Sequence, residues 1–375
     1  MFKSRLKLTI INGPWSELPP FGAGAMEKFW LDIALNLDNN SSYYVTIKSS
    51  NLRFFLKDKY KNVNIKLLPK LYKPNSLFLI YLIDLIYTLF LFFITKKNRI
   101  CIINTTTSNL FIPLYKLKFD NVFTNFTRMP KNKLQFLFKF DAYLCPSQEV
   151  INRLQYNFNI NKDKLILFHN AINEEYINIK KKLNIDISKS IVSKKKIYIG
   201  YHGRINEEKG IYEIIKSCKN FNYEIIFRLM GPFSKSDGGS GIRYYNKILQ
   251  AGIENSIHIE YINTSGNVND IISFIDSLDV YIYPSLAING ETFGLSILEA
   301  MSRYKIVIIS DLACFNDFVR NNVNGMIIPC KDFQYTFPLL LNEVLSNKNV
   351  LIKLNARTTA ENYTINKLVN ILHTL

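Results

Sequence analysis

The sequence predicts an α/β protein built from two doubly wound domains, each with a parallel sheet. Short apolar runs rich in β-branched and aromatic residues alternate with stretches of helical spacing along the whole chain. The runs fall into two series, and the stretch between them, residues 180–196, is rich in Lys, Ser and Asn with weak periodicity. A chain of 375 residues is long enough for two domains of common size, each with its own core.

Thirteen short apolar runs predict the strands. In the first domain, residues 1–178, they lie at 6–11, 43–47, 63–68, 99–104, 121–123, 142–145 and 165–168. A linker at 179–196 follows, and the second domain is expected at 197–358. Its strands are predicted at 196–201, 224–230, 257–261, 279–283, 305–310 and 325–328. Because helical stretches separate several of these runs, we expect parallel strands joined by crossover helices.

Composition indicates a folded protein of a reducing compartment. Hydrophobic residues make up 48% and charged residues 21%, as in globular proteins. The five cysteines are scattered and form no zinc motif, which favours a reducing environment. The apolar run at residues 8–11 is too short for a signal-peptide core, so we expect a cytoplasmic protein.

Positive charge is concentrated in the first half of the chain. The net charge is +17, of which residues 1–170 contribute +14 (24 Lys+Arg, 10 Asp+Glu). A basic surface of this kind implies an anionic partner, either a membrane or nucleic acid. We favour an anionic membrane, because the basic residues do not cluster with aromatic residues as in an RNA-binding motif. The alternative is that abundant Lys is a compositional habit of an Asn- and Ile-rich chain.

Residues 77–94 are the one candidate membrane segment in the sequence. Their length is at the lower limit for spanning a bilayer, and Asp84 lies in the middle, where a carboxylate is costly. The following run at 99–104 is typical of a helix packed on a sheet. We therefore expect a core helix with one very apolar face, then in-plane docking on a membrane, and lastly a spanning helix.

Residues 279–310 predict a strand, a loop, a helix and a second strand. Glu291 and Glu299 lie eight residues apart across the junction between the loop and the helix. The start of a helix exposes unpaired N–H groups and the positive end of the dipole, which suits a phosphate. Carboxylates beside it can accept hydrogen bonds from sugar hydroxyls. The segment therefore suggests a site for a sugar joined to a diphosphate.

This segment resembles the signature of family-four retaining glycosyltransferases, which have the GT-B fold. The matching residues are Glu291, Phe293, Gly294, Leu295 and Glu299. The resemblance implies two doubly wound Rossmann-like domains facing across a cleft, with the acceptor on the first and the nucleotide sugar on the second. It also implies that a C-terminal helix within residues 359–375 crosses back to the first domain.

A second motif, residues 202–210, follows the first strand of the second domain. Arg204 and Lys209 flank a short loop before a helix, where two cations could hold phosphate oxygens. The string is similar to the family's Gly-Arg…Lys-Gly motif. The resemblance assigns Arg204 and Lys209 to the donor diphosphate, as catalytic residues together with Glu291, which holds the sugar. Gly203 is expected to contact the donor, and Glu299 the ribose hydroxyls.

The first domain carries weaker signals. Gly24 lies in a glycine-containing loop, residues 19–28, that resembles the family's first loop, which implies that Gly24 contacts the donor diphosphate. A plain tight turn is the alternative. Many relatives have a His beside the reacting carbon, but no His follows the predicted strand at 121–123. Asn125 or Arg128 could contact the sugar or acceptor instead, and Thr292, beside Glu291, could contact the donor sugar.

The expected function is transfer of a sugar from a UDP- or GDP-linked donor to a hydroxyl of a lipid-linked glycan acceptor. The resemblance implies retention of configuration, no cofactor and no required metal, and the chain has no Asp-x-Asp pair. Surface polysaccharide, O-antigen or capsule assembly at the inner face of the cytoplasmic membrane would suit the basic first domain. No nucleic-acid partner is expected.

Two alternatives stay open from the sequence. One is a sugar-nucleotide epimerase or phosphorylase of the same fold, although the first domain shows no obvious pair of acid/base carboxylates. The other is a non-enzymatic basic protein that binds a membrane or nucleic acid. The donor base, the sugar, the acceptor, the linkage and the oligomeric state are not readable from the sequence.

Overall fold

The computed structural model describes residues 8–15, 25–37, 41–47, 64–104, 112–126, 128–130, 139–178, 196–218, 221, 223–263, 267–346 and 349–374. The chain divides into two compact units, residues 172–364 and the remainder, 1–171 with 365–375. Each unit is an α/β domain around one parallel sheet, which confirms the predicted fold class. The predicted linker lies outside the described residues except for Lys196, which begins a strand.

The first unit contains a seven-stranded sheet in the order β3-β2-β1-β4-β5-β6-β7, with all neighbours parallel. The strands are β1 Leu8–Asn12, β2 Ser42–Ile47, β3 Ile65–Pro69, β4 Ile100–Asn104, β5 Asn121–Asn125, β6 Ala142–Cys145 and β7 Leu165–Leu167. Each begins within two residues of its predicted start. All five residues of β1 and of β4 are buried, as in strands covered by helices on both faces.

Among the described residues, four α-helices precede residue 172: α1 Ala25–Asn36, α2 Leu77–Ile94, α3 Ile112–Lys116 and α4 Gln148–Phe158. Helix α4 begins at a Ser147 cap, whose side chain accepts a hydrogen bond from the Val150 amide. It ends at Asn159 in the left-handed region, with φ of 53°. In the core of the unit, Trp30 of α1 stacks on Phe168 with ring centroids 6.0 Å apart.

Helix α2 packs on the rest of the first unit through a narrow stripe of side chains along one side. Its buried residues are Asp84, Tyr87, Thr88 and Leu91, which follow helical spacing. Only 22% of the helix is buried, so the expectation of a core helix holds for that stripe and is wrong for the rest. Among the residues described, α2 is the one helix that is long and apolar enough to cross a membrane.

The second unit contains a six-stranded parallel sheet in the order β10-β9-β8-β11-β12-β13. The strands are β8 Lys196–His202, β9 Glu224–Met230, β10 His258–Ile262, β11 Val280–Tyr283, β12 Ile306–Ser310 and β13 Met326–Ile328. The helices are α5 Ile211–Ser217, α6 Ile242–Glu254, α7 Val268–Asp276, α8 Leu295–Ser302, α9 Phe333–Ser346 and α10 Val350–Ala360.

The last helix, α11 Ile365–Leu372, belongs to the first unit although it follows the second in sequence. Ile365, Leu368, Val369 and Leu372 join the core cluster that contains Trp30. The amphipathic spacing of these four residues explains which face of α11 is buried.

The units meet in sequence at 171/172 and 364/365, whereas the sequence placed the boundaries at 178 and 358. Two arginines explain the earlier start of the second unit. Arg303 Nη1 donates to the carbonyl of Tyr176 at 3.3 Å, and Arg357 Nη2 donates to that of Ile177 at 2.7 Å. These buried charge-assisted bonds attach residues 172–178 to the second sheet's helices.

Candidate functional site

Two loops at the carboxyl ends of neighbouring strands carry the predicted charged residues of the second unit. One follows β8 and contains Arg204 and Lys209, and the other follows β11 and contains Glu291. The two strands pair with each other, and the strand order reverses between them. Ligands of open α/β sheets bind in the crevice at such a reversal. The topology therefore brings these residues to the position expected of a ligand site.

Lys209 and Glu291 form a buried ion pair. Lys209 Nζ lies 2.5 Å from Glu291 Oε2, and the two side chains are 8% and 12% exposed. The same carboxylate oxygen accepts hydrogen bonds from Tyr283 Oη at 2.9 Å and Ser285 Oγ at 3.2 Å. Lys209 Nζ also donates to Tyr283 Oη at 3.2 Å. Two residues 82 positions apart, predicted to act separately, thus form one network.

The surroundings of Lys209 and Tyr283 shift the pKa values of both side chains. Burial lowers the pKa of the Lys209 ammonium, but the Glu291 carboxylate and the Tyr201 hydroxyl outweigh burial, so the pKa lies above its ordinary value. Burial, and then the Glu291 charge, raises the pKa of Tyr283 well above its usual range. At neutral pH Lys209 is therefore a cation and Tyr283 a neutral phenol.

Glu299 forms a second pair that the sequence analysis missed. His202 Nε2 lies 2.5 Å from Glu299 Oε2, and the side chains are 8% and 12% exposed. His202 is the last residue of β8, and Glu299 projects from α8. His202 Nδ1 is buried and has no hydrogen-bond partner in the described part of the chain. The sequence feature that could have predicted this pair is the position of His202, immediately before Gly203 and Arg204 and at the end of a predicted strand.

Arg204 is not part of the Lys209 network. Its guanidinium makes two long contacts, with the Gly238 carbonyl at 3.4 Å and with Glu208 Oε1 at 3.5 Å. Its side chain is 34% exposed, compared with 8% for Lys209. Arg204 is therefore a weakly held cation at the surface of the same loop, able to move toward an anion.

The residues between Glu291 and Glu299 that the sequence assigned to the site mainly shape the loop and the start of α8. Gly294 precedes the helix with φ of 86°, and a Cβ there would lie 2.7 Å from the Phe315 ring. Phe293 is fully buried and packs on Phe318 with ring centroids 4.8 Å apart. Thr292 is buried and Leu295 half-buried. Gly294 thus turns the chain so that α8 begins beside Glu291.

Two glycines shape the loop after β8. Gly203 has φ of 141°, and a Cβ there would lie 2.7 Å from Tyr201 Oη. Gly210 has φ of 65°, and its Cβ would lie 2.1 Å from the Pro284 carbonyl oxygen. Gly210, which was not predicted as a site residue, therefore allows the Lys209 loop to touch the Glu291 loop.

The structure describes two of the three residues predicted for the first unit, Asn125 and Arg128. Gly24 lies outside the described residues, and Arg128 is exposed. Asn125, the last residue of β5, is 2% exposed. Neither amide atom of Asn125 has a hydrogen-bond partner among the residues that the structure describes.

Asn125 belongs to a row of three asparagines that sequence reasoning missed. Asn12, Asn104 and Asn125 are the last residues of the neighbouring strands β1, β4 and β5. Asn12 Nδ2 donates to the Tyr44 carbonyl at 3.1 Å, and Asn104 Nδ2 donates to Asn12 Oδ1 at 2.8 Å. Asn104 Oδ1 accepts no bond within the described chain. The row lies at the strand-order reversal of the first sheet and offers neutral donors and acceptors.

The second-unit loops supply charge of both signs at one end of the sheet. The buried Lys209 and the half-buried Arg204 can hold oxygens of an anion, and the two carboxylates can accept hydrogen bonds from hydroxyls. In the described ranges no three His, Cys, Asp or Glu side chains form a group able to hold a metal ion.

The two Rossmann-like units define the fold of this chain, which is the GT-B fold. Its fold is similar to that of a glycosyltransferase from Rickettsia africae, with a TM-score of 0.72, 16% identity and coverage of 98% of this chain and 97% of that one. It is also similar to Anabaena Alr3699/HepE, solved with UDP and glucose, with a TM-score of 0.67, 13% identity and coverage of 97% of both chains.

Residues 184–364 match the family described as glycosyl transferases group 1. The resemblance found in the sequence is therefore confirmed. The chain is 28% identical over 139 residues to the capsular polysaccharide biosynthesis glycosyltransferase CapM of Staphylococcus aureus, covering 36% of this chain and 33% of that protein. It is 34% identical over 98 residues to a phosphatidyl-myo-inositol mannosyltransferase of Mycobacterium leprae, covering 24% and 26%. The chain thus matches about a third or less of the length of these relatives.

Proposed function

We propose that this protein transfers a sugar from a nucleoside diphosphate to a hydroxyl group of a glycan acceptor. The observation that carries the proposal is the buried Lys209–Glu291 pair at the strand-order reversal of a group 1 glycosyl transferase domain. A structurally similar protein was solved with UDP and glucose, which supports a nucleotide sugar as donor.

The charges divide naturally between the two parts of such a donor. Lys209 and Arg204, with the amides near Gly294, stabilise the negative charge that grows on the leaving diphosphate. Glu299, oriented by His202, binds the ribose hydroxyls. Since positive side chains perform the stabilisation, no metal and no cofactor is required.

Glu291 holds the donor sugar. Three bonds converge on its Oε2, which fixes the carboxylate and directs Oε1 to a sugar hydroxyl. Thr292, beside it, is a second contact for that sugar. Binding of a diphosphate draws Lys209 partly away from Glu291, so the donor replaces an interaction that the free protein already makes.

The reaction retains the configuration at the anomeric carbon. The acceptor oxygen forms a bond to that carbon on the face from which the diphosphate leaves. The bond from carbon to the diphosphate oxygen breaks, and the acceptor proton passes to the leaving oxygen. Because the transferred proton has a phosphate acceptor, this route needs no histidine in the first unit.

The first unit binds the acceptor. Asn125 and its neighbours Asn12 and Asn104 offer neutral groups that suit hydroxyls, and Arg128 follows β5 in the chain. Gly24 keeps the role that the resemblance implies, a contact to the donor diphosphate. A lipid-linked acceptor in surface polysaccharide assembly is supported by the partial likeness to CapM and to a phosphatidyl-myo-inositol mannosyltransferase. The charge of +14 in residues 1–170 supports contact with anionic lipid at the inner face of the cytoplasmic membrane.

The direct test is turnover of UDP-glucose, UDP-galactose and GDP-mannose with a polyprenyl-diphosphate-linked glycan, in EDTA. We expect one donor to react, and Glu291→Ala to lower turnover at least about a hundredfold. Glu260→Gln is the matched control, because Glu260 is also a half-buried carboxylate, paired with Arg228 at 2.8 Å, but outside the site. Equal turnover by Glu291→Ala and the control would refute the proposed role.

A further inference from the structure

Helix α2 presents its polar residues to the protein and its apolar residues to the outside. The inner stripe, defined by Asp84, Tyr87, Thr88 and Leu91, is buried. Nine large apolar side chains are exposed and define the outer face of the helix: Leu77, Phe78, Leu79, Leu82, Ile86, Leu89, Phe90, Phe93 and Ile94. This is the reverse of a helix on the surface of a protein surrounded by water.

The inner stripe attaches α2 firmly to the first unit. Tyr87 Oη donates to the Asn12 carbonyl at 3.1 Å, and Leu91 is fully buried. Lys118 Nζ donates to the Phe92 carbonyl near the end of the helix. A spanning position would place Asp84 and the other polar groups of the stripe in hydrocarbon and break these bonds. The attachment therefore argues against a spanning helix.

The outer face is too large and too continuous to be a normal water-exposed surface. Phe78, Ile86 and Phe93 are 74%, 59% and 79% exposed, and they lie along one side of a helix of 18 residues. Contiguous apolar patches of this kind mark contact with a membrane or another protein.

Exposed basic residues lie at both ends of the helix. Lys73 precedes it, and Lys96, Lys97 and Arg99 follow it. Asp84, the acidic residue within the helix, is buried in the inner stripe. An apolar face between two basic ends is the pattern of a helix that lies in the interface of an anionic bilayer.

We propose that the outer face of α2 inserts in the plane of an anionic bilayer, at the boundary between headgroups and acyl chains, and holds the first unit on the membrane. A second copy of the chain fits the surface less well. Two such helices packed face to face would bring basic ends together in either orientation, whereas anionic lipids neutralise them. The proposal rests on α2 alone and not on the transfer reaction, because vesicle binding involves no donor.

Vesicle flotation of the full chain tests the proposal. The variant Ile86→Glu/Phe90→Glu places two charges on the outer face without touching the inner stripe. The matched control, Leu339→Glu/Leu351→Glu, makes the same change at side chains that are 72% and 74% exposed on α9 and α10. Vesicles contain phosphatidylcholine alone or with phosphatidylglycerol, and circular dichroism confirms that each variant is folded.

We expect the wild type and the control to float with phosphatidylglycerol vesicles, and the outer-face variant to bind at least roughly a hundredfold more weakly. Lys96→Ala/Lys97→Ala should reduce binding roughly tenfold to thirtyfold at low salt, and less at high salt. Unchanged flotation of the outer-face variant would overturn the proposal. So would a wild type that does not float, or a dimer in gel filtration that only the outer-face variant converts to monomer.

The depth of the helix distinguishes in-plane docking from spanning. Leu79→Trp, Ile86→Trp and Phe93→Trp place a reporter near the start, middle and end of α2. With brominated lipids, we expect the three added tryptophans to be quenched at one common depth near the headgroups. Depths that increase from one position to the next would show a spanning helix and overturn the in-plane proposal.

Discussion

The two units share one architecture but place their polar groups differently. In the second unit, polar side chains near the carboxyl ends of the strands are buried in pairs, Lys209 with Glu291 and His202 with Glu299. In the first unit, the corresponding strand ends carry the neutral amides of Asn12, Asn104 and Asn125, and an apolar helix lies outside. The same sheet order thus presents charge in one unit and neutral or apolar surface in the other. This division agrees with the proposed roles of the two units, an anionic donor bound by the second and a hydroxyl-bearing acceptor bound by the first.

The largest loss of stability is expected when one partner of the buried Lys209–Glu291 ion pair is replaced. Lys209→Met leaves the Glu291 carboxylate buried without its cation, so we expect the free energy of unfolding to fall by about 3–5 kcal/mol. The double variant Lys209→Met/Glu291→Gln removes both charges and should recover much of that loss while remaining inactive. Urea unfolding of the wild type, Lys209→Met, Glu291→Gln and the double variant measures the coupling. A double variant no more stable than the single one would show that the pair is not a charge interaction.

The same pair predicts a loss of stability in alkali. The folded-state pKa of Lys209 is raised, so its contribution is fully present below the unfolded value of about 10.4 and is lost as pH rises through the folded value. The stability difference between the wild type and Lys209→Met should therefore shrink only above about pH 10. Lys116→Met, which removes a more exposed pair with Asp141, is the control and should show a much smaller change.

A smaller effect is expected where the backbone places α8. Gly294→Ala introduces a Cβ at positive φ and within 2.7 Å of Phe315, which we expect to lower stability by about 1–3 kcal/mol and to slow transfer. Gly290→Ala, in the same loop, meets its nearest neighbour at 3.1 Å and has no positive φ, so it should change both quantities less. Thermal unfolding and turnover of the two variants check the comparison.

The smallest expected change in stability concerns Asn125 of the first unit, and here the substitution should not destabilise the protein. Asn125→Leu removes two buried amide atoms that lack partners in the described chain, so stability should be unchanged or increase while acceptor turnover falls. Asn98 is also buried, but its Nδ2 donates to Thr9 Oγ1 at 2.7 Å. Asn98→Leu should therefore lower stability by about 1–3 kcal/mol and leave the acceptor KM unchanged. A destabilised Asn125→Leu with normal turnover would make Asn125 a structural residue.

The strands were readable because their signal is local. Residues 142–145 and 224–230 form strands with the predicted bounds, since short apolar runs between turn signals leave few alternatives. The motifs were readable for the same reason, because each is a short continuous stretch. Glu291 and Gly294 lie in the loop before α8, and Glu299 lies on that helix.

The interactions between distant residues could not be read in the same way. Nothing in a local pattern pairs Lys209 with Glu291 or His202 with Glu299, because those contacts depend on which strands are neighbours. The orientation of α2 was missed for another reason. Its strong overall apolarity hid the weaker signal of Asp84, Tyr87 and Thr88, whose spacing identifies the buried stripe.

The most direct test of the central claim is a thermal-shift screen of the purified protein against UDP, GDP, ADP, TDP and CMP, in EDTA and in Mg²⁺. A ligand that binds only the folded state raises the melting temperature. We predict that one nucleoside diphosphate raises it equally with and without Mg²⁺, and that Lys209→Met/Glu291→Gln abolishes the shift. No shift with any nucleotide, or a shift of the same size in the double variant, would contradict a donor site built on this ion pair.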